Sequence, residues 1–250
     1  MQLPIDYAPS PPVLKDKVIL ITGAGAGIGR AVAKLFAHHG ACVVLCGRTV
    51  KKLEAVYDEI ETAGDPQPAI FPLDLLSLTP DIAVQLYNSL DKEFGHLDGL
   101  LHNAGILGSM TSIEHYEPQL WLEVMQVNVN AGYLLSATLL PLLRKVEDSR
   151  CVFTSSGVGQ QGRAYWGAYA VSKFATEGLM QVLADETETE GRVRVNCINP
   201  GGTRTSMRAR AYPAENPQSL RAPEDIAPGY LYLFGPEGRS IHGQTCTLQK

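Results

Sequence analysis

The 250-residue chain has little of what marks the specialised classes of protein. Charged residues are 19% of it and gather in no basic block; Lys plus Arg is 21 against 26 for Asp plus Glu, a formal net charge of −5. That argues against nucleic-acid binding, which needs a concentrated positive face. Cysteine is sparse: Cys42, Cys46, Cys151, Cys197 and Cys246 are odd in number and include no Cys-x-x-Cys pair. They read as small buried hydrophobes in a reduced compartment, with no disulfide frame and no metal site. The adjacent pair His38-His39 reads as solvating a helix end. Apolar runs are short and broken by Gly, Asn and Pro, so none suits a bilayer span. The first residues show no basic region leading into an apolar stretch, so no signal peptide is expected, and a cytoplasmic location is. Low-complexity segments and internal repeats are lacking. Hydrophobic residues reach 45%, which excludes a disordered chain and lets one core hold this length.

What is present is alternation. Short apolar runs near 18–22, 41–45, 69–73, 97–101, 150–154, 193–198 and 245–248 read as strands buried on both faces. Amphipathic stretches near 30–39, 50–62, 81–94, 121–140 and 168–189 read as helices between them. Such alternation implies right-handed crossovers and a parallel sheet. The expected fold class is α/β, a doubly wound parallel sheet with helices on both faces, in one domain over residues 15–250. Residues 1–14, with Pro4, Pro9, Pro11 and Pro12, read as an extended N-terminal arm.

The first strand runs into Gly23-Ala24-Gly25-Ala26-Gly27-Ile28-Gly29. Strict Gly-x-Gly-x-x-Gly spacing is not met; Gly-x-x-x-Gly-x-Gly is, on Gly23, Gly27 and Gly29. Between a first strand and a first helix, such a turn brings backbone and a helix N-terminus to a pyrophosphate. The end of the second strand then selects the cofactor. No Asp or Glu occurs from Ala41 to Leu53, and Arg48 follows Gly47. A guanidinium grips a 2′-phosphate that a carboxylate would repel, so NADP(H) is expected over NAD(H), with Thr49 as a further hydroxyl contact.

Tyr169 and Lys173 lie four apart in a helical stretch and share a face. An ammonium beside a phenol favours the phenolate and fits Tyr169 for proton transfer. Ser156, just past a predicted strand end, and Asn103-Ala104-Gly105, past another, lie on the sheet edge where ligands gather.

These motifs together resemble the short-chain dehydrogenase/reductase family, in its single-domain, Rossmann-like branch, over about residues 15–248. Longer stretches, Leu101-His102-Asn103-Ala104-Gly105 and Asn199-Pro200-Gly201-Gly202-Thr203-Arg204-Thr205 among them, are similar to the bacterial YciK-like oxidoreductases. The resemblance implies an oxidoreductase acting on a small carbonyl or alcohol through a Ser-Tyr-Lys-Asn set. In it Tyr169 is the acid or base. Lys173 lowers the tyrosine's pKa and holds the nicotinamide ribose. Ser156 polarises the substrate oxygen, and Asn128 kinks its helix and holds a water that links Lys173 to solvent. It further implies cofactor contacts from Gly25 and Ile28 in the turn, from Asp74 and Leu75 at the adenine, and from Asn103, Ala104 and Gly105 near the adenosine ribose. Pro200, Gly201, Thr203 and Thr205 are implied at the nicotinamide, as is a homodimer or homotetramer through the Asn128 and Tyr169 helices. Ala26 stands where some NADP-preferring members carry a basic residue, which leaves Arg48 less help. The alternative is a non-catalytic nucleotide-binding regulator, from which the loss of Ser156, Tyr169 or Lys173 would be expected.

Two segments are expected to line the substrate side: 157–166, with Gln160, Gln161, Arg163, Tyr165 and Trp166, and 206–220, a candidate lid in which Pro213 and Pro217 oppose a long helix. Arg204, Arg208 and Arg210 read as a solvated basic loop, with an anionic substrate as the other reading.

Overall fold

The computed structural model describes residues 1–249. Its central sheet starts at β1 (Val18–Thr22), whose five residues are all buried. Side chains alternate across it: Ile19 and Ile21 enter one core, Val18 and Leu20 the other. The same division holds along β2 (Cys42–Gly47), with Val43 and Leu45 on one face and Val44 and Cys46 on the other. A strand that must face two cores reads as a continuous apolar run, which is why these segments are visible in the sequence.

The remaining strands are β3 (Ala69–Pro72), β4 (Gly99–His102), β5 (Ser149–Thr154), β6 (Val193–Asn199) and β7 (Gln244–Thr247). All pair in parallel, in the order β3-β2-β1-β4-β5-β6-β7. Helices α1 (Gly27–His38) and α2 (Val50–Thr62) cover one face, joined there by α8 (Pro223–Phe234). Phe36 and Phe234 meet between α1 and α8 with ring centroids 4.9 Å apart. On the other face lie α3 (Pro80–Phe94), α5 (Ala131–Leu143) and α6 (Gly167–Glu188). The expected doubly wound α/β sheet is the observed one. No helix of the described residues is long and apolar enough to cross a membrane.

The structure adds detail to three sequence expectations. The long helical segment expected over 121–140 lies within an unbroken helical run, α4 (Pro118–Met125), a π-helical turn at Gln126–Asn130 around Asn128, and then α5. The wider turn carries Asn128, whose buried carboxamide is bonded outside its own helix. The two histidines part company: His38 is exposed, whereas His39 is buried with no partner for Nδ1. Burial lowers the His39 pKa, with the neighbouring His38 adding to the effect. The arm lies on the domain. Leu3 and Leu14 are buried in the α1–α8 core, and Gln2 pairs in parallel with Thr247 of β7. The Leu3 N–H donates to the Thr247 carbonyl at 2.9 Å, and the Thr247 N–H to the Met1 carbonyl at 2.7 Å.

Candidate active site

From β1 the chain winds outward through β2 to β3, then returns to the other side of β1 with β4. Where the winding reverses, the loops leaving the strands diverge and open a crevice. A cleft of about 450 Å³ fills it, lined from the glycine turn across to the start of α7 (Ser206–Ala211). Of the site residues expected from sequence, Gly29 and Asn128 alone do not line it.

Both stand behind it and shape it. A Cβ on Gly29 would sit 2.3 Å from the Gly23 carbonyl oxygen and 2.6 Å from Asn103 Nδ2. Gly29 is therefore a packing position that lets α1 start tight against the turn. Gly23 and Gly27 carry φ of +69° and +54°, the left-handed region that favours glycine. Thr22 ties this turn to the next strand's loop. Its hydroxyl accepts from the Asn103 and Ala104 N–H groups at 3.0 and 3.1 Å, and Asn103 Nδ2 donates to the Thr22 carbonyl at 3.1 Å. Asn128 holds the far end of that loop. Its Oδ1 accepts from the Ile106 N–H at 2.8 Å, and its Nδ2 donates to the Ile106 carbonyl and to Ser172 Oγ, both at 3.0 Å. Both Nδ2 donors and one Oδ1 lone pair of the carboxamide thus pin the loop beside Lys173.

Helix α1 begins at Ala26 with no side-chain cap and no acidic residue in its first turn. Its first N–H groups and positive dipole end face the cleft, ready for an anion. Arg48 and Thr49 line the same end, both exposed. Lys52, one turn into α2, lines it too and was not foreseen, because in sequence it looks like any solvated helix lysine. Its Cβ would lie 2.9 Å from a Cβ on Gly25, so α2 runs directly over the turn. Neither Arg48 nor Lys52 forms an ion pair among the described residues. Lysines at positions 51 and 52 in the first turn of α2 oppose its dipole, an arrangement that an anion between them and Arg48 would offset. Asp74 lies exposed at the rim, its carboxylate accepting from the Leu76 N–H at 3.1 Å, with Leu75 buried beside it.

At the other end α6 brings Tyr169 and Lys173 to the floor, 8% and 5% exposed. Lys173 Nζ donates to the Thr154 carbonyl at 2.7 Å and lies 5.6 Å from the Tyr169 ring centroid. Burial pushes the Tyr169 phenol up to about 12, and a hydrogen bond with Ser156 pulls it partly back. Lys173 is lowered to about 8, again by burial. The expected lowering of the tyrosine by the lysine is therefore not seen here: desolvation dominates, and the ammonium is engaged by a carbonyl. Beyond β6, Gly201 turns with φ +72° and its N–H bonds Asn199 Oδ1 at 3.1 Å. Thr205 caps α7, its hydroxyl accepting from the Arg208 N–H at 3.2 Å, and Thr203 Oγ1 donates to the Gly201 carbonyl at 3.4 Å.

Leu107, Met110, Val158, Trp166 and Met207 form an apolar wall around Tyr169. Of segment 157–166, Trp166 reaches the cleft, whereas Gln160, Gln161, Arg163 and Tyr165 do not line it. The basic loop is not uniformly solvated. Arg208 grips Glu215 with two bonds of 2.6 and 2.7 Å and stacks on Tyr212 at 3.8 Å, and Arg204 donates to Gln218 Oε1 at 2.9 Å. Arg210 lines the cleft and forms no ion pair among the described residues.

Residues 17–216 match the family model for short chain dehydrogenase. The chain is 52% identical to the uncharacterized oxidoreductase YciK of Escherichia coli (strain K12), over 97% of this chain and 96% of that protein. The solved structure of YciK from E. coli superposes with a TM-score of 0.95 at 52% identity, covering 98% of this chain and all of that one. A short chain dehydrogenase from Escherichia coli CFT073 complexed with NADPH gives 0.94 at 52% identity, over 97% of this chain and 100% of that chain.

Proposed function

The chain belongs to the short-chain dehydrogenase family, and from that premise we propose that it is an NADP(H)-dependent oxidoreductase acting on a small carbonyl or alcohol. One observation carries the reading: a buried Tyr169, lining the cleft with Ser156 and one helical turn from a buried Lys173, closes a cleft whose other end holds Arg48 and Lys52. The residues fit the dinucleotide. The glycine turn leaves no room for a side chain at Gly25 or Gly29, the uncapped start of α1 offers N–H groups to the pyrophosphate, and the two cations meet a 2′-phosphate. A relative with the same fold holds NADPH. When bound, the nicotinamide supplies or accepts the hydride.

The chain's own groups handle the proton. With its pKa at about 12, Tyr169 is protonated at neutral pH, the state a proton donor needs. In reduction it gives that proton to the substrate oxygen while Ser156 donates a hydrogen bond to the same oxygen. In oxidation Tyr169 takes the proton back. Lys173, held at the Thr154 carbonyl, lies where its charge favours the phenolate left after transfer. Asn128 keeps the 103–106 loop in place beside these groups. The apolar wall around Tyr169 suits a substrate that carries hydrocarbon next to its carbonyl.

We further propose a homo-oligomer formed through α5 and α6. Tyr133, Val171, Phe174 and Val182 stand 43–59% exposed on those helices, an apolar surface that a second copy would cover.

The test is a titration with NADPH and NADH followed by nicotinamide fluorescence, then reduction of aromatic aldehydes and diketones. NADPH should bind more tightly. Tyr169→Phe should keep that binding and lose roughly 10²- to 10⁴-fold in turnover. Undiminished turnover in the variant would overturn the acid/base role.

A further inference from the structure

Helix α6 carries a third buried polar side chain in line with the first two. Tyr169, Lys173 and Glu177 follow at intervals of four residues, 8%, 5% and 6% exposed, one above another on a single helix face. Each meets one residue at the end of β5. Ser156 stands beside the Tyr169 phenol and lowers its pKa, the Thr154 carbonyl accepts from Lys173 Nζ at 2.7 Å, and Ser155 Oγ donates to Glu177 Oε1. The other carboxylate oxygen, Oε2, accepts from Thr245 Oγ1 of β7. One buried carboxylate thus fastens α6 to the β5 end and to the last strand, next to the proposed reaction centre.

Burying a carboxylate is costly unless it is bonded and balanced by charge. The two hydroxyls provide the bonds. The balancing charge is Lys173, one turn away. The titratable groups that face Lys173 are Tyr169 and Glu177 on its own helix and Cys197 on β6. Thr154 and Asn128 are neutral, and Tyr230 of α8 meets Thr154 instead, at 3.2 Å. Cys197 stays a neutral thiol, because burial and then Glu177 push its pKa well up. That leaves the Glu177 carboxylate as the negative charge opposing the desolvation of the lysine.

We propose that Glu177 is a positioning residue of this centre: it holds Ser155, and through it Ser156, in register with Tyr169, and it supplies the negative charge that keeps Lys173 an ammonium. This rests on the oxidoreductase reading above for its catalytic consequence, but not for the charge itself.

Glu177→Gln keeps the shape and removes the charge. Two readouts apply to the NADPH-loaded protein. One is the titration of Lys173 by NMR of ¹³Cε-labelled lysine, assigned by its loss in Lys173→Arg. The other is kcat and KM for reduction of an aromatic aldehyde across pH 6 to 10. In Glu177→Gln the Lys173 midpoint should move at least about one pH unit lower. The fall of kcat at high pH should move with it, and KM should change less than about threefold. A purely structural role would lower activity without moving either midpoint, and an unmoved Lys173 midpoint overturns the charge role. Ser155→Ala removes one bond and leaves the charge. It should cut kcat severalfold at an unchanged Lys173 midpoint, and an unchanged kcat overturns the positioning role whether or not Glu177→Gln folds. A wild-type protein that reduces no carbonyl probe would refute the proposed activity, while the NMR titration would still decide what Glu177 does to Lys173.

Discussion

Replacing Gly29 with alanine tests the architecture of the turn with one methyl group. The added Cβ would lie 2.3 Å from the Gly23 carbonyl oxygen, 2.8 Å from its carbon and 2.6 Å from Asn103 Nδ2. Ordinary carbon–oxygen contacts run at about 3.3–3.6 Å, so the overlap is about 1 Å. The carbonyl has nowhere to retreat. Gly23 is already in the left-handed region, and the space its own Cβ would take ends 3.0 Å away at Ala104 Cα. Overpacking of this kind costs about 1–3 kcal/mol, and a clash against backbone on both sides belongs at the upper end. At 2–4 °C per kcal/mol for a chain of this size, about 3 kcal/mol lowers Tm by roughly 6–12 °C. Gly25→Ala is the control within the same motif. Its Cβ meets Lys52 Cβ at 2.9 Å, a smaller overlap with a single atom that a slight outward shift of the start of α2 relieves, so its Tm should drop less. Both variants should weaken NADPH, the first by displacing the turn and the second by displacing Lys52. Thermal unfolding by circular dichroism, with and without NADPH, makes the comparison. A Gly29→Ala protein that melts within a degree of wild type, or a Gly25→Ala protein that loses as much, would refute the packing argument.

Arg48→Asp should weaken NADPH by roughly 10- to 100-fold and NADH far less, and Lys52→Ala should do the same more mildly; equal losses for both cofactors in a fluorescence titration would place the 2′-phosphate elsewhere. His102, bonded to Ser136 at 2.9 Å and stacked on Phe153, has its pKa pushed down to about 3 by burial. Its folded value lies below the unfolded one near ~6.5, so the stability it contributes is complete above that pH and lost as pH falls toward 3, at about 1.4 kcal/mol per unit. Urea midpoints should therefore drop from pH 7 to 5, and His102→Gln should flatten that slope; an unflattened slope would assign it to other groups. Phe174→Glu should convert a homo-oligomer into monomers in light scattering, and an assembly that survives it uses another face.

The fold was legible because a parallel sheet covered on both faces demands continuous apolar strands, and β1 and β2 show that demand plainly. The glycine turn was legible because backbone approach leaves a compositional mark. Asn128 was legible only as a motif position, since the wider turn around it comes from hydrogen bonds made outside its helix. Lys52 and Glu177 passed as ordinary helix residues. One matters because α2 crosses over Gly25, the other because β5 and β7 converge on it, and neither crossing has a local signal. Arg208 was misread for the same reason: its partner Glu215 lies beyond a turn around Pro213. The pairing of Tyr169 with Lys173 predicted a lowered phenol, but the depth of burial, which spacing cannot reveal, reverses the sign.

The arm that pairs with β7 also decides how the sheet meets the rest of the solution. An outer strand offers a row of unpaired N–H and C=O groups, a template on which another chain can add. On one side Met1 to Leu3 fill part of that row along β7, and Pro4 follows at once, with no N–H to carry the pairing further. On the other side β3 is four residues long and closes on Pro72. Both borders of the sheet are short and end in proline, so growth by strand addition is blocked at each, and the apolar strands between them can be as sticky as the two cores require without inviting aggregation.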